Sequence, residues 1–239
     1  MIETLIAKIQ QRSALSEEEK ELLRSRMTEA VVYPAGSVMV TEGERIRYSL
    51  LLAEGLACRS KYMVDGARQI MEFEIAGDFV DLHSYPLERL DHSITAITDC
   101  RMIKFQHHDI SSLIEQHPRF ARILWFMTMV DASIHREWLV SLGSRSGAHR
   151  VAHLFCEMFH RSRVVGLTDG LTYHFPVTQA DLGEALGFTS VHVNRVLREL
   201  RERNLATFQA KRVRIQNLEA LEEFAQFDPG YLYLQRNEH

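Results

Sequence analysis

The chain has 239 residues, of which 46% are hydrophobic and 25% are charged, and its formal net charge is −4. This composition is that of a soluble globular protein with one large or two modest domains. No stretch approaches the roughly 20 consecutive apolar residues that a membrane helix needs. The start, MIETLIAKIQ, lacks the parts of an export signal. We therefore expect a cytoplasmic protein with no membrane partner.

The three cysteines, Cys58, Cys100 and Cys156, are far apart and odd in number. This excludes a Cys-x-x-Cys zinc knuckle and four-thiolate ligation of an iron–sulfur cluster within one chain. We expect each cysteine to be a small buried hydrophobic residue in a reducing compartment.

The first 27 residues predict one or two short helices, with Ser16 and Glu19 forming the start of a helix. The pattern then changes to short β-rich segments between recurring glycines. Asp65-Gly66 predicts a type I′ turn between two of these segments. The strand candidates are Tyr48–Ala53, Leu56–Val64, Arg68–Ile75, Ile94–Thr98 and Cys100–Phe105. Short strands with regular turns over about 75 residues indicate a small antiparallel barrel or jelly roll.

A long helix is predicted after Pro118, because apolar residues there alternate at spacings of three and four. These residues are Phe120, Ile123, Met127, Val130 and Ile134. The seam has two interpretations: it packs on the chain's own barrel, or it pairs with a second copy of the chain. We favour the second. The run Gly143–Gly147 predicts a hinge, and 149–162 a further amphipathic helix.

The segment from Val177 to Ile215 predicts two crossed helices followed by a β-hairpin. Gly183 is small where the helices cross, and Gly187 can adopt a positive φ in the turn. Thr189 is placed to cap the second helix. The apolar contacts between the helices are expected from Leu182, Leu186, Phe188, Val193 and Val196.

The second of these helices has an outer face suited to DNA. Between Thr189 and Ile215 there are seven Lys/Arg and two Glu, a net of +5, which leaves −9 on the rest of the chain. A basic segment on an acidic protein, located on the element that would enter a major groove, indicates phosphate binding. The alternative is an ordinary helical hairpin with a solvated charged face. We expect double-stranded DNA to be the partner.

Together these segments resemble the Crp/Fnr family of bacterial transcription regulators over essentially the whole chain. PAGSVMVTEGERIRYSLLLAEGLACRSKYMVDGARQIMEFEIAGDF resembles the family's effector-sensing β-roll, and TQADLGEALGFTSVHVNRVLRELRERNL its DNA-binding motif. The resemblance implies an α+β chain: an N-terminal antiparallel β-roll over residues 1–117, a dimerisation helix over 118–142, and a C-terminal winged helix-turn-helix over 143–239. It also implies a homodimer on a two-fold operator, no enzymatic activity, and RNA polymerase as a further partner of an activator.

The resemblance also assigns roles on the DNA face. Ser190, Val191 and Arg195 fall at the base-reading positions, although the Arg-Glu pair that opens this helix in the best-known members is replaced here by Ser190 and Val191. Arg195 is expected to form a bidentate pair with guanine. Phosphate contacts are expected from Thr189, His192, Lys211 and Arg212.

The family's cyclic-AMP phosphate cassette is degenerate in this chain. Asp81-Leu82 replaces the Gly-Glu pair, and His92 replaces the arginine that precedes Ser93. A cyclic phosphate that lacks this arginine and faces carboxylates loses a charge-assisted hydrogen bond worth about 1.5–3 kcal/mol. We therefore expect that cyclic AMP is not the effector, and we assign no cofactor.

Other interpretations remain open. Asp81, His83, Asp91 and His92 could line a metal site of a cupin-like enzyme, although none of these residues is expected to be a ligand. Within the family, the trigger could be haem, a redox thiol or a small metabolite, or there could be no ligand.

Overall fold

A computed structural model describes residues 2–27 and 30–234. They form two compact units: the second contains Tyr62–Met71 and Ser133–Leu232, and the first contains the remaining part up to Ala132 together with Tyr233 and Leu234. The helices are α1 (Glu3–Gln10), α2 (Glu17–Ser25), α3 (Ser84–Leu87), α4 (His107–Gln116), α5 (Pro118–Ser144), α6 (Gly147–Val164), α7 (Gln179–Leu186), α8 (Ser190–Glu202) and α9 (Leu218–Ala225).

The strands are β1 (Ala30–Tyr33), β2 (Val38–Val40), β3 (Tyr48–Glu54), β4 (Leu56–Tyr62), β5 (Arg68–Ile75), β6 (Ser93–Ala96), β7 (Cys100–Gln106), β8 (Thr168–Asp169), β9 (Thr172–His174), β10 (Ala206–Gln209) and β11 (Arg212–Ile215). A 3-10 turn, Pro229–Leu232, follows α9. Among the described helices, none is both long and apolar enough to cross a membrane.

The first unit contains the predicted β-roll. One sheet has the order β1-β7-β3 and the other the order β2-β6-β4-β5. Apolar side chains of both sheets, such as Leu50, Ala57 and Met102, meet in one buried cluster. Antiparallel sheets that bury one face in this way produce a jelly-roll-like core. The fold class predicted for this part of the chain is confirmed.

Two local predictions in this unit have different outcomes. The Ser16 hydroxyl accepts from the Glu19 N–H at 3.1 Å, and the Glu19 carboxylate accepts from the Ser16 N–H at 2.8 Å, which confirms the helix start. The prediction of a type I′ turn at Asp65-Gly66 is wrong, because this turn needs a positive φ at both residues and only Gly66 has one. A wider turn is closed by the Gly66 N–H donating to the Met63 carbonyl, and the Asp65 carboxylate accepts from the Ala67 N–H.

Most residues of the predicted dimer seam on helix α5 are covered by their own chain. Phe120 and Ile123 lie in the core of the first unit, where they pack with α1, α4 and the outer face of the β1-β7-β3 sheet. Met127 packs against the same cluster, and Ile134 is buried as well. Phe120, Ile123 and Ile134 are thus covered by their own chain, and Met127 and Val130 are half-buried, so the predicted seam does not form an exposed stripe on this chain.

The second unit is built around α6, which contacts α7, α8 and α9. Helix α5 continues through Gly143 to Ser144, so the predicted hinge is reduced to two residues between α5 and α6. The fully buried Glu157 of α6 accepts hydrogen bonds from Trp138 Nε1 (3.1 Å), Arg161 (3.1 Å) and the Tyr231 hydroxyl (2.8 Å). These bonds connect α5, α6 and the C-terminal turn within this unit.

Candidate nucleic-acid interface

Helices α7 and α8 form the predicted helix-turn-helix. Gly187 ends α7 with φ +71°, and the Phe188 carbonyl oxygen would lie 2.5 Å from a Cβ added to Gly183. Both glycines therefore have the roles expected from the sequence. Thr189 caps α8, its hydroxyl accepting from the His192 N–H at 3.4 Å. A capping box at Thr178 and Asp181, not foreseen from the sequence, starts α7.

The outer face of α8, which we call the recognition helix, is open to solvent. Val191 is 81% exposed, and Ser190, Arg195 and Arg198 are exposed beside it. On the opposite side, Val193 and Val196 are buried against the rest of the unit. The structure therefore brings the three predicted base-reading side chains together on one accessible helix face. Side chains on an exposed helix face can reach base edges in a major groove.

His192 lies on the flank of this helix, and its ring packs against its own chain. Its ring stacks on Phe188, with centroids 4.4 Å apart at 25°. Nε2 is buried and faces Gly147, while Nδ1 lies 3.0 Å from an Arg195 guanidinium nitrogen. Both ring nitrogens are thus turned toward the chain itself. A phosphate contact by His192, as predicted from the sequence, would require one of these nitrogens to turn outward.

The hairpin of β10 and β11, which we call the wing, presents the other predicted cations. Its two-residue turn consists of Ala210 and Lys211, both with positive φ, so Lys211 lies at the tip. Arg212 and Arg214 are exposed on β11, whereas Val213 between them is buried. Burial, with help from Arg212 and Lys211, lowers the pKa of His174 on the adjacent strand β9. The wing is therefore electropositive as well as exposed.

The residues of the degenerate cassette are buried and have contacts within their own chain. Asp81 is fully buried and accepts from the Leu50 N–H at 2.6 Å. Burial raises the pKa of Asp81 to about 8, so the carboxyl is mostly protonated at neutral pH. The Ser93 hydroxyl accepts from the Glu42 N–H, and His92 Nδ1 lies 2.9 Å from the Asp91 carboxylate. Leu82 is buried in the apolar core.

The cupin-like metal interpretation gains no support from these positions. Asp81 and His92 have the intrachain contacts just described, and His83 Nδ1 lies 3.8 Å from Asp131. Across residues 2–27 and 30–234, the four residues Asp81, His83, Asp91 and His92 do not converge as a ligand set.

A buried ion cluster around Arg59 was not foreseen from the sequence. The Arg59 guanidinium contacts both Asp131 carboxylate oxygens, at 2.7 and 2.8 Å, and a Glu74 oxygen at 2.7 Å. A Glu72 oxygen lies 3.5 Å away, and the Val80 carbonyl accepts from Nε at 3.0 Å. Arg59, Glu72 and Glu74 are each about 1% exposed. The positive charge inside the roll is thus neutralised by the chain's own carboxylates.

Comparison with known proteins agrees with this arrangement. Residues 149–224 match the family described as the Crp-like helix-turn-helix domain, and residues 30–117 match the cyclic nucleotide-binding domain. The transcriptional activator protein FnrL of Cereibacter sphaeroides is 24% identical over 183 residues, which are 75% of this chain and 73% of FnrL. The transcriptional activatory protein AadR of Rhodopseudomonas palustris is 27% identical over 191 residues, 80% of this chain and 78% of AadR.

Solved structures show the same fold. FixK2 from Bradyrhizobium japonicum superposes with a TM-score of 0.75 at 25% identity, covering 83% of this chain and 96% of FixK2. Both relatives are named as activators of transcription, in agreement with the exposed basic helix and wing. From the β-roll, the long helix, the winged helix-turn-helix and these matches, the chain belongs to the Crp/Fnr family of DNA-binding transcription regulators.

Proposed function

We propose that the protein acts in the cytoplasm as a homodimer on a two-fold operator, each protomer inserting its recognition helix into a major groove. The single observation that carries this proposal is the exposed face of Ser190, Val191 and Arg195, flanked by the wing. The two half-sites would lie about 34–36 Å apart, one turn of DNA.

The DNA-facing residues divide into base readers and phosphate contacts. Arg195 can present two N–H donors to guanine O6 and N7, and Val191 can meet a thymine methyl group. Ser190, as donor or acceptor, has less power to discriminate. Lys211 and Arg212 on the wing, and Thr189 at the positive N-terminal end of the recognition helix, suit phosphates. The activator names of the relatives favour RNA polymerase as a further partner.

The dimer surface we propose is a different face of α5 from the predicted seam. Trp125 is 68% exposed and Leu139 is 72% exposed, and Met129 and Val140 are also open to solvent. Together with Arg136, these positions are four, seven, three and one residues apart, which places them on one side of the helix. Large apolar side chains exposed in one stripe favour burial against a second copy of the same helix. We keep residues 118–142 as the dimerisation region, between a sensing region, 1–117, and a DNA-binding region, 143–239.

We further propose that cyclic AMP is not the effector. The cassette has no arginine at its phosphate position, and the buried guanidinium of Arg59 is already paired with three carboxylates. A cyclic phosphate would have to displace one of these pairs, and the remaining carboxylates would repel it. Because Asp81 is mostly protonated, the repulsion comes from the carboxylates of the Arg59 cluster rather than from Asp81.

The test is a binding titration of Arg195→Ala and Lys211→Ala at several salt concentrations. The probes are a duplex selected by the wild-type protein from a randomised library and a scrambled duplex of equal length. Arg195→Ala should weaken the selected duplex by about 1–3 kcal/mol and barely change the scrambled one. Lys211→Ala should weaken both alike and reduce the salt slope by about one unit.

The two variants control for each other, since each removes one exposed cation from the same DNA face. If Arg195→Ala weakens both duplexes equally, Arg195 contacts a phosphate and the base-reading assignment is wrong. If no duplex is enriched above the random library, the proposal of sequence-specific binding fails.

A further inference from the structure

The ring of His192 is held from two sides within the second unit. One face stacks on Phe188 of the turn, and the Nε2 edge meets Gly147, the first residue of α6. A Cβ added to Gly147 would collide with Nε2 and would lie 3.3 Å from a Val196 methyl group. Only glycine leaves room for the ring at this place, so the position of α6 determines the position of the imidazole.

The opposite edge of the ring faces Arg195. The guanidinium group can only donate hydrogen bonds, so Nδ1, at 3.0 Å, must be the acceptor and the ring proton lies on Nε2. His192 and Arg195 are three residues apart, a spacing that brings side chains together on a helix surface. An exposed arginine has many rotamers, and this hydrogen bond restricts them.

We propose that His192 is a positioning residue for DNA specificity: it orients the Arg195 guanidinium toward the base edge and sets that orientation from the start of α6. The proposal rests on the base-reading role of Arg195 proposed above. A guanidinium held in advance loses less rotamer freedom when it forms its two hydrogen bonds with guanine. A phosphate contact would gain less, because its direction is less strictly defined.

Two substitutions of His192 separate the acceptor from the ring. His192→Phe keeps an aromatic ring on Phe188 but removes Nδ1, whereas His192→Asn loses the stack but places an amide oxygen near the Nδ1 position. The quantity measured is the ratio of the dissociation constants for the scrambled and the selected duplex. We expect His192→Phe to lower this ratio about fivefold or more, the lower end of what a bidentate arginine–guanine pair contributes. His192→Asn should restore most of the ratio.

A third variant acts on the ring from outside the recognition helix. Gly147→Ala should displace His192 and lower the same ratio, although Gly147 touches no DNA in the proposed complex. Its control is Gly143→Ala, where no atom other than those of the adjoining residues and of the helix's own backbone lies within 4 Å of the added methyl group. The control for His192→Phe is His149→Phe, because His149 also stacks on a phenylalanine, Phe224, with centroids 4.6 Å apart. Neither control should change the ratio.

The Arg195→Ala background decides whether His192 acts through Arg195. In that background, adding His192→Phe should cause no further loss of the ratio. An equal loss with and without Arg195, or a His192→Asn protein as impaired as His192→Phe, would overturn the positioning role. A normal ratio in His192→Phe, while Arg195→Ala lowers it, would overturn the inference alone and leave the proposed function standing. An unchanged ratio in Arg195→Ala itself would overturn both.

Discussion

His153 should make the stability of the second unit depend on pH. Its side chain is 3% exposed, packed against the rings of Phe227 and Tyr231. Burial, with the nearby Arg145 guanidinium, lowers the pKa of His153 to about 3, from an ordinary value of 6.5. Glu137, 3.3 Å from Nε2, is itself paired with Arg145 and does not reverse this effect. The histidine is therefore neutral in the folded protein.

The size of this change in stability follows from the number of protons that His153 binds in the folded and in the unfolded protein. At pH 5.5 the unfolded chain, with a pKa of about 6.5, binds most of a proton at this position, whereas the folded chain binds almost none. The contribution of neutral His153 to the stability of the fold is fully present above pH 6.5 and is lost as the pH falls toward 3. Between pH 7.5 and 5.5 the loss is about 1.4 kcal/mol, and it hardly depends on the folded value so long as that value is below 5.

The assay is urea unfolding followed by tryptophan fluorescence, because Trp138 is buried in the same unit as His153. His153→Phe keeps a ring between the neighbouring aromatics and removes the titration. Its loss of stability between pH 7.5 and 5.5 should be smaller than that of the wild type by about 1.4 kcal/mol. His108→Gln, which removes a side chain that is 79% exposed, is the matched control and should behave as the wild type. Equal pH dependence in the wild type and His153→Phe would refute the reasoning.

Further predictions concern the fold, the assembly and the effector. Gly183→Ala should lower the free energy of unfolding by about 1–3 kcal/mol in thermal melts, because its Cβ would press on the Phe188 carbonyl oxygen. Gly143→Ala should cost nothing, and equal melting temperatures for the two would contradict the crossing geometry. Arg59→Met should lose about 3–5 kcal/mol in urea unfolding, since it leaves buried carboxylates without their cation; a change below 1 kcal/mol would contradict the cluster. Leu139→Asp should convert a dimer into a monomer in light scattering, and a retained dimer would exclude this face of α5. Calorimetry should show no cyclic AMP binding tighter than about millimolar, near −4 kcal/mol, and saturable micromolar heat would overturn this expectation.

Features determined within a few residues were predictable from the sequence. The helix start at Ser16, the crossing glycine Gly183 and the cap at Thr189 all occur as expected. Each depends on a backbone conformation or hydrogen bond between near neighbours. The strand Arg68–Ile75 even has its predicted bounds, because alternation and flanking turns delimit it.

The dimer seam could not be chosen from periodicity alone. Helix α5 has apolar residues on two sides, and a spacing of three and four fits Phe120 and Ile123 as well as Trp125 and Met129. Which side faces the β-roll depends on how the whole unit packs. The side that carries Met127 and Ile134 is covered by the chain itself, at least in part.

The site residues that were not predicted from the sequence have partners that are distant along the chain. Asp131, which completes the Arg59 cluster, is 72 residues away from it. Gly147 meets His192 only because α6 and the recognition helix pack together. No local pattern marks such pairs, and a histidine in a basic helix is naturally taken for a phosphate contact.

The hydrogen bonds to Glu157 have a practical consequence for dissecting the protein into fragments. A DNA-binding fragment cut at the linker and starting at Gly147 would retain Arg161 and Tyr231 but lose the Trp138 donor, leaving a fully buried carboxylate short of one hydrogen bond. A fragment starting at Ser133, where the second unit resumes, would keep all three donors. Because a buried carboxylate deprived of a donor costs about 1–3 kcal/mol or more, the autonomous folding boundary lies inside the long helix and not at the break that follows it.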